Sequence, residues 1–262
     1  MNKLLGRDVM IALKSDVYIG TITLSSDRYI NIQAMEFKTA TMIKTKIYVN
    51  EMTFMKPLKT QNQIKTDDCM DFTLQELTRM SSILSSYVAI QSFDSIYHTA
   101  IDEIESESFV GFYMTGIDRG RFADSSLVAI STSKTIFLFD VQLMGRIETK
   151  IKNILEANTP KKIVHDASRT ADHLKHKHDI HLSGVFDSLV ANRFIGLEKK
   201  RLTLGECLHD QLGLPETFLN GDIEDRQWNR RPLSSAAKGF AAQNVLFLQK
   251  MHAKLTRSAL KM

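Results

Sequence analysis

Five histidines fall in one short stretch of the chain: His165, His173, His176, His178 and His181. Imidazoles at that density suggest a transition-metal site. On a helix, however, His173 is followed four residues on by Lys177 rather than by a second histidine, and no cysteine lies nearby. The stretch reads as a solvated basic helix end, with no metal and no cofactor expected. His165-Asp166 closes an apolar strand and reads as structural, while Asp187 reads as the cap of a helix opening at Ser188. The remaining chemistry-bearing groups are cations: Lys161, Lys162, Arg169, Lys175, Lys177, Lys199, Lys200, Arg201, Arg230 and Arg231. Such groups neutralise phosphates and release their counterions, which makes them the candidate polyanion contacts. Arg230 and Arg231 carry a second reading, as ion-pair partners that lock the C-terminal helix. The chain holds no glycine-rich phosphate loop, no Ser/His/Asp set and no internal repeat.

The chain that must position these groups has 262 residues, 43% hydrophobic and 24% charged, with 12 Gly and 4 Pro. That composition excludes collagen-like and largely disordered chains. The length suits one large domain or two unequal ones. No apolar run approaches the roughly 18 residues of a membrane helix, and the start MNKLLGRDVM carries charges where a signal peptide is apolar. Two cysteines, Cys69 and Cys207, make neither a disulfide framework nor a four-ligand zinc site. A reducing, cytoplasmic setting and no membrane contact are the expectation. The net charge of +4 is unevenly spread. Residues 1–58 carry 8 Lys+Arg against 5 Asp+Glu, 59–108 carry 3 against 9, and 109–262 carry 23 against 16. Two basic segments flank an acidic one, a pattern that fits polyanion contact on the outer pieces. The acidic stretch 67–107 reads equally as a docking site or a solvated connector.

Residues 1–58 read as five short strands, each β-branched or alternating, separated by turns at Ser15-Asp16 and Ser25-Ser26-Asp27. So many strands in so few residues require a small, strongly bent sheet or barrel. Residues 59–72, polar and aperiodic, read as a linker. From residue 73 to 262 the spacing predicts helices from Thr73 and Ser95, and strands over 87–90, 109–115, 127–131 and 135–141. Helices and strands then alternate through 147–157, 162–165, 168–177, 184–187 and a helix to Phe194, ending in helices over 204–212 and 235–255. A meander followed by alternating helices and strands gives a mixed α/β sheet with helices on its faces.

Four segments from Phe109 onward resemble the RNase D-like 3′–5′ exonucleases of the DEDDy class. Phe109-Val110-Gly111-Phe112-Tyr113-Met114-Thr115-Gly116 looks like the family's first strand. Lys162-Ile163-Val164-His165-Asp166 through Leu174 and Gly184-Val185-Phe186-Asp187-Ser188 are similar to its next two blocks. Trp228-Asn229-Arg230-Arg231-Pro232-Leu233 runs at the family's spacing into Phe240-Ala241-Ala242-Gln243-Asn244-Val245. The resemblance implies an RNase H-like mixed sheet, in which four carboxylates hold two divalent cations that activate water. Laid on that pattern, the first Asp falls on Tyr113, the Glu on Thr115, the second-segment Asp on Thr170 and the last Asp on Asn244. The tyrosine that positions the nucleophile falls on Phe240. Hard cations want oxygen anions, so a catalytically degenerate domain is expected. Asp172, two positions past Thr170, points about 200° round the helix. Asp166, in the turn, is one carboxylate in place of four.

The front segment resembles the Sm/LSm family through Leu4-Leu5-Gly6-Arg7-Asp8-Val9, Gly20 and Asp27-Arg28-Tyr29-Ile30-Asn31. That likeness assigns Asp27 and Asn31 to an RNA-contact loop, beside the plainer reading of a turn-stabilising pair. The family's second motif, Arg-Gly, is absent near Val49-Asn50. The two parts together resemble the exonuclease 3′–5′ domain-containing proteins linked to the piRNA pathway. This implies an RNA-binding scaffold that takes single-stranded RNA, associates with a Tudor-domain protein, forms a homodimer and acts in cytoplasmic germ granules. Two alternatives stand beside it: an active metal-dependent 3′–5′ exoribonuclease, and a pure protein scaffold that binds no RNA.

Overall fold

The computed structural model describes residues 4–60, 71–117, 120–196, 201–219 and 223–261. Strands β1 (Asp8–Ala12), β2 (Val17–Ser25), β3 (Tyr29–Glu36), β4 (Thr41–Tyr48) and β5 (Phe54–Pro57) make an antiparallel sheet in the order β4-β3-β2-β1-β5. All of Val9-Met10-Ile11-Ala12 is buried, because β1 has apolar neighbours on both faces. Val9 and Ile11 join Ile22, Ile30, Ile32 and Ile47 in the sheet's own core. Met10 and Ala12 point the other way, with Val17, Ile19 and Phe37, into the core of the larger part. Gly20 is required where β2 crosses β3, since a Cβ there would lie 2.1 Å from the Gln33 carbonyl oxygen.

Four phenylalanines bind this sheet to the rest. Phe37 meets Phe218 with ring centroids 5.1 Å apart, Phe247 meets Phe72 at 5.7 Å, and Phe218 meets Phe247 at 4.9 Å. Offset and edge contacts of this kind add to the area each ring buries. The hydroxyl of Ser81, on helix α1 (Leu74–Ser85), donates to the Phe37 carbonyl at 2.7 Å. Most of the polar segment before Phe72 lies outside the described residues.

The larger sheet has the order β11-β10-β7-β8-β9-β6. Strands β7 (Phe109–Met114), β8 (Val128–Ser131) and β9 (Ile136–Phe139) form an antiparallel meander. Strand β6 (Val88–Ile90) lies parallel to β9, β10 (Lys161–Val164) parallel to β7, and β11 (Val185–Asp187) parallel to β10. Helices α2 (Ser95–Ser106), α3 (Val141–Met144), α4 (Thr149–Glu156) and α5 (Ala167–His178) supply residues to the core on one face. On the other face pack α1, α6 (Ser188–Gly196), α7 (Leu204–Leu212), α9 (Ser235–Leu246) and α10 (Leu248–Ala259), with the short α8 (Asp225–Trp228) between α7 and α9. Gly111 lets α9 close on the sheet, for a Cβ there would meet the Val245 carbonyl oxygen at 2.9 Å. The mixed α/β architecture with a small β module in front is the one read from the sequence. The helix expected over 235–255 is broken at Phe247, whose ring is drawn into the phenylalanine cluster. Among the described residues no helix is long and apolar enough to cross a membrane.

Candidate functional site

Strand β7 delivers Tyr113 and Thr115 to the end of the sheet, and α9, packed across β7 and β8, carries Phe240 and Asn244. Thr115 is buried, and its hydroxyl accepts from the backbone N–H of Ser126 at 3.1 Å and of Leu127 at 2.9 Å. It thereby closes the loop between β7 and β8. The Asn244 amide turns back along its own helix and donates to the Phe240 carbonyl at 2.8 Å. Phe240 packs beside Trp228, with centroids 6.3 Å apart. Thr170 is buried on α5. Tyr113 and Phe240 both pack against the larger core.

None of these five side chains is a carboxylate, and two of the polar ones are already bound to backbone. They do not fit a pair of divalent cations, which need several anionic oxygens. Asp166 has a left-handed backbone (φ 62°) and is paired with Arg201 and, at 3.7 Å, with Arg169. Asp172 is turned outward, 3.0 Å from Arg121. Among the described residues no group of three or more His, Cys, Asp or Glu side chains is placed to hold a metal.

Asp187 caps α6 as expected, accepting from Leu189 N–H at 2.9 Å, and it does more. Its carboxylate also accepts from Asp166 N–H at 3.1 Å and Ala167 N–H at 2.9 Å, joining the first turns of α5 and α6. A carboxylate at two helix N-termini meets unpaired donors and the positive ends of both dipoles. His165 is structural, its ring nitrogens 3.0 Å from Ser188 Oγ and 3.0 Å from the Leu202 carbonyl. The solvated helix end needs correction at two positions. His173 is buried and His178 half-buried, and both ring Nε2 atoms face Ser125 Oγ, at 2.7 and 2.9 Å. Sequence spacing missed this because Ser125 sits in a distant loop with no periodicity. Burial pushes the Cys207 thiol up to about 12, which leaves it unreactive.

The cations separate into surface and buried groups. Lys161, Arg169, Lys175, Lys177, Arg201 and Arg230 are exposed. Lys175 pairs with Asp179 and Lys177 with Asp124, at 2.7 and 2.8 Å. Lys199 and Lys200 lie outside the described residues. Lys162 is not a phosphate contact. Its side chain is wholly buried, with Nζ donating to the Ile154 carbonyl at 2.9 Å and to the Ala157 oxygen, so it caps the end of α4. Burial pushes this ammonium down to about 8. Arg231 is likewise taken up inside the fold: it donates to Asp140 at 2.6 Å, to the Trp228 carbonyl at 2.8 Å and to Ser126 Oγ at 2.8 Å. Arg231 is an ion-pair partner, but of Asp140 at the start of α3 and not of the C-terminal helix. Asp140 stands alone after an apolar strand and gives no sequence signal.

In the small sheet the β2–β3 turn is closed by Ser26, whose Oγ accepts from Tyr29 N–H at 3.1 Å. Asp27 is exposed at its tip. Asn31 follows on β3, with its Oδ1 buried and unpaired.

These positions sit on a mixed sheet, an antiparallel meander with parallel flanking strands and helices on both faces. Residues 117–259 match the family model described as 3'-5' exonuclease, and the chain belongs to that family. It is 35% identical over 170 residues to the piRNA biogenesis protein EXD1 of Bombyx mori, covering 62% of this chain and 54% of that protein. It is 30% identical over 188 residues to the Exd1 homolog of Drosophila melanogaster, covering 71% of each. The chain thus spans about half the length of the Bombyx relative. Escherichia coli RNase D, an exoribonuclease involved in structured RNA processing, superimposes with a TM-score of 0.56 at 16% identity, over 67% of this chain and 46% of that one. At that identity the likeness is one of fold.

Proposed function

We propose that this chain is a non-catalytic RNA-binding adaptor of piRNA biogenesis, in which a degenerate exonuclease domain (73–262) follows an Sm-like sheet (1–58) and a linker (59–72). The observation that carries this reading is the internal satisfaction of Thr115 and Asn244 where cation ligands are required. Single-stranded RNA lies along the surface cations Lys161, Arg169, Lys175, Lys177, Arg201 and Arg230, and Lys199 and Lys200, which lie outside the described residues, are further candidates on sequence alone. The names of the Bombyx and Drosophila relatives support the pathway, and the exoribonuclease activity of Escherichia coli RNase D supports RNA as the ligand. The unpaired Asn31 Oδ1 supports a second RNA contact in the Sm-like sheet with Asp27. Two such chains associate, dock a Tudor-domain protein and work in cytoplasmic germ granules.

The test is RNA affinity against salt. Four phosphate contacts to a single strand weaken binding about fifty-fold between about 50 and 200 mM monovalent salt. Charge reversal at Lys199, Lys200 and Arg201 together weakens binding and flattens that slope. An affinity indifferent to salt, or to the triple reversal, overturns the proposed face.

A further inference from the structure

A pocket of about 610 Å³ opens where the β7–β8 loop, α3 and the end of α5 meet. Its walls carry Ser125, Gln142, Arg146, Lys177, His178 and Asn229. Its chemistry is unlike that of the degenerate site. It gathers a guanidinium, an ammonium and two side-chain amides, and one carboxylate, Asp124, opposes them.

Beneath it runs a hydrogen-bond chain. The Gly120 carbonyl can only accept, so His173 Nδ1 donates to it at 3.2 Å. Ser125 Oγ then bridges the two rings, 2.7 Å from His173 Nε2 and 2.9 Å from His178 Nε2. The bridge fixes both imidazoles in place beside the cations. Among the described residues, Lys177 from its own helix, Asp124 from the loop and Arg146 from beyond α3 line the pocket with His178, and the His173 ring lies alongside with centroids 5.7 Å apart. Burial, with His173 and Lys177 adding to it, keeps His178 neutral at physiological pH.

The anion now opposing Lys177 is replaceable. Asp124 is 2.8 Å away but 83% exposed, and exposed pairs of that kind contribute little. We infer that this pocket binds a phosphate monoester of nucleotide size, with Arg146 and Lys177 on the phosphate oxygens and the Gln142 and Asn229 amides completing the shell. Arg146 presents a planar fork suited to two phosphate oxygens, and the volume falls within the range of small-molecule sites. The site shares Lys177 with the proposed RNA face but does not depend on it, because its ligands can be measured without RNA.

The experiment is calorimetric titration of the full chain with inorganic phosphate and, separately, with AMP. Saturable one-to-one binding is expected, weakened about tenfold by Arg146→Gln and about tenfold by Lys177→Gln, since each removes one charge-assisted contact. Both residues are exposed, and circular dichroism confirms that the variants remain folded. Phosphate binding as tightly as AMP assigns the site to the free anion, while tighter AMP assigns it to a nucleotide. No saturation by either ligand at about 10 mM, or variants that bind like the parent, overturns the assignment.

Discussion

The side-chain amide of Asn244 donates to the backbone carbonyl of Phe240, 2.8 Å away on the same helix. In the exonuclease pattern these two positions are a metal-binding carboxylate and a nucleophile-positioning phenol. Here one binds its own backbone and the other has lost its hydroxyl. Thr115 is bound in the same inward way, to the loop that follows β7. The scaffold is kept while its polar groups are turned to holding the fold.

Thr115→Val tests that structural role. Losing the acceptor strands two buried N–H groups, and the cost is about 1–3 kcal/mol of stability. Urea unfolding of the variant should show this loss, with Thr115→Ser recovering most of it. A valine variant as stable as the parent contradicts the loop-closing role.

Asp140 is buried and Arg231 half-buried, at 5% and 14% side-chain exposure. Removing one partner leaves a buried charge unpaired, so Arg231→Met lowers stability by about 3–5 kcal/mol. Arg231→Lys recovers only part, because an ammonium cannot reach Asp140, Ser126 and the Trp228 carbonyl together. RNA affinity of the folded fraction stays unchanged. A stable variant with weakened RNA binding would restore Arg231 to the phosphate contacts.

Phe247→Ala removes the ring shared by Phe37, Phe72 and Phe218 and costs about 3–5 kcal/mol. Because that cluster joins the two sheets, thermal unfolding of the parent chain should be a single transition. Two transitions, with only one moved by the variant, would contradict a shared core.

The pH dependence follows from buried bases. His178 is pushed down to about 4, and burial also lowers His165 and His252, from an ordinary value of 6.5. Between about 6.5 and 4 the unfolded chain binds more protons than the folded one, so stability falls as pH drops through that window. Lys162, lowered from 10.5 to about 8, gives the same sign at the alkaline end: stability rises as pH climbs from about 8 toward 10.5. Urea midpoints across pH should show both limbs. His178→Gln should flatten the acid one and Lys162→Met the alkaline one; unchanged limbs contradict the assignments.

The strands of the small sheet are legible because β2 and β3 bury alternate residues. Strand β4 is less legible, because its exposed first residues, Thr41 and Met42, leave no burial pattern to read. The break between α9 and α10 is hidden by apolar residues that continue past Phe247, so periodicity alone runs one helix through both. Lys162 is misplaced by sequence because a charge there implies surface, whereas this one reaches the free carbonyls at the end of α4. The side chains at Tyr113, Thr115, Thr170, Phe240 and Asn244 are visible residue by residue. The partners of Thr115 and Ser125 are not, since they depend on where a loop returns in space.

The most direct measurement incubates the purified chain with end-labelled single-stranded RNA and Mg²⁺ or Mn²⁺, resolving products nucleotide by nucleotide under conditions where binding is saturated. The account predicts RNA that is bound and remains full length with either ion. Stepwise shortening from the 3′ end, abolished by chelation and by substitution of Asp166 or Asn244, would contradict it.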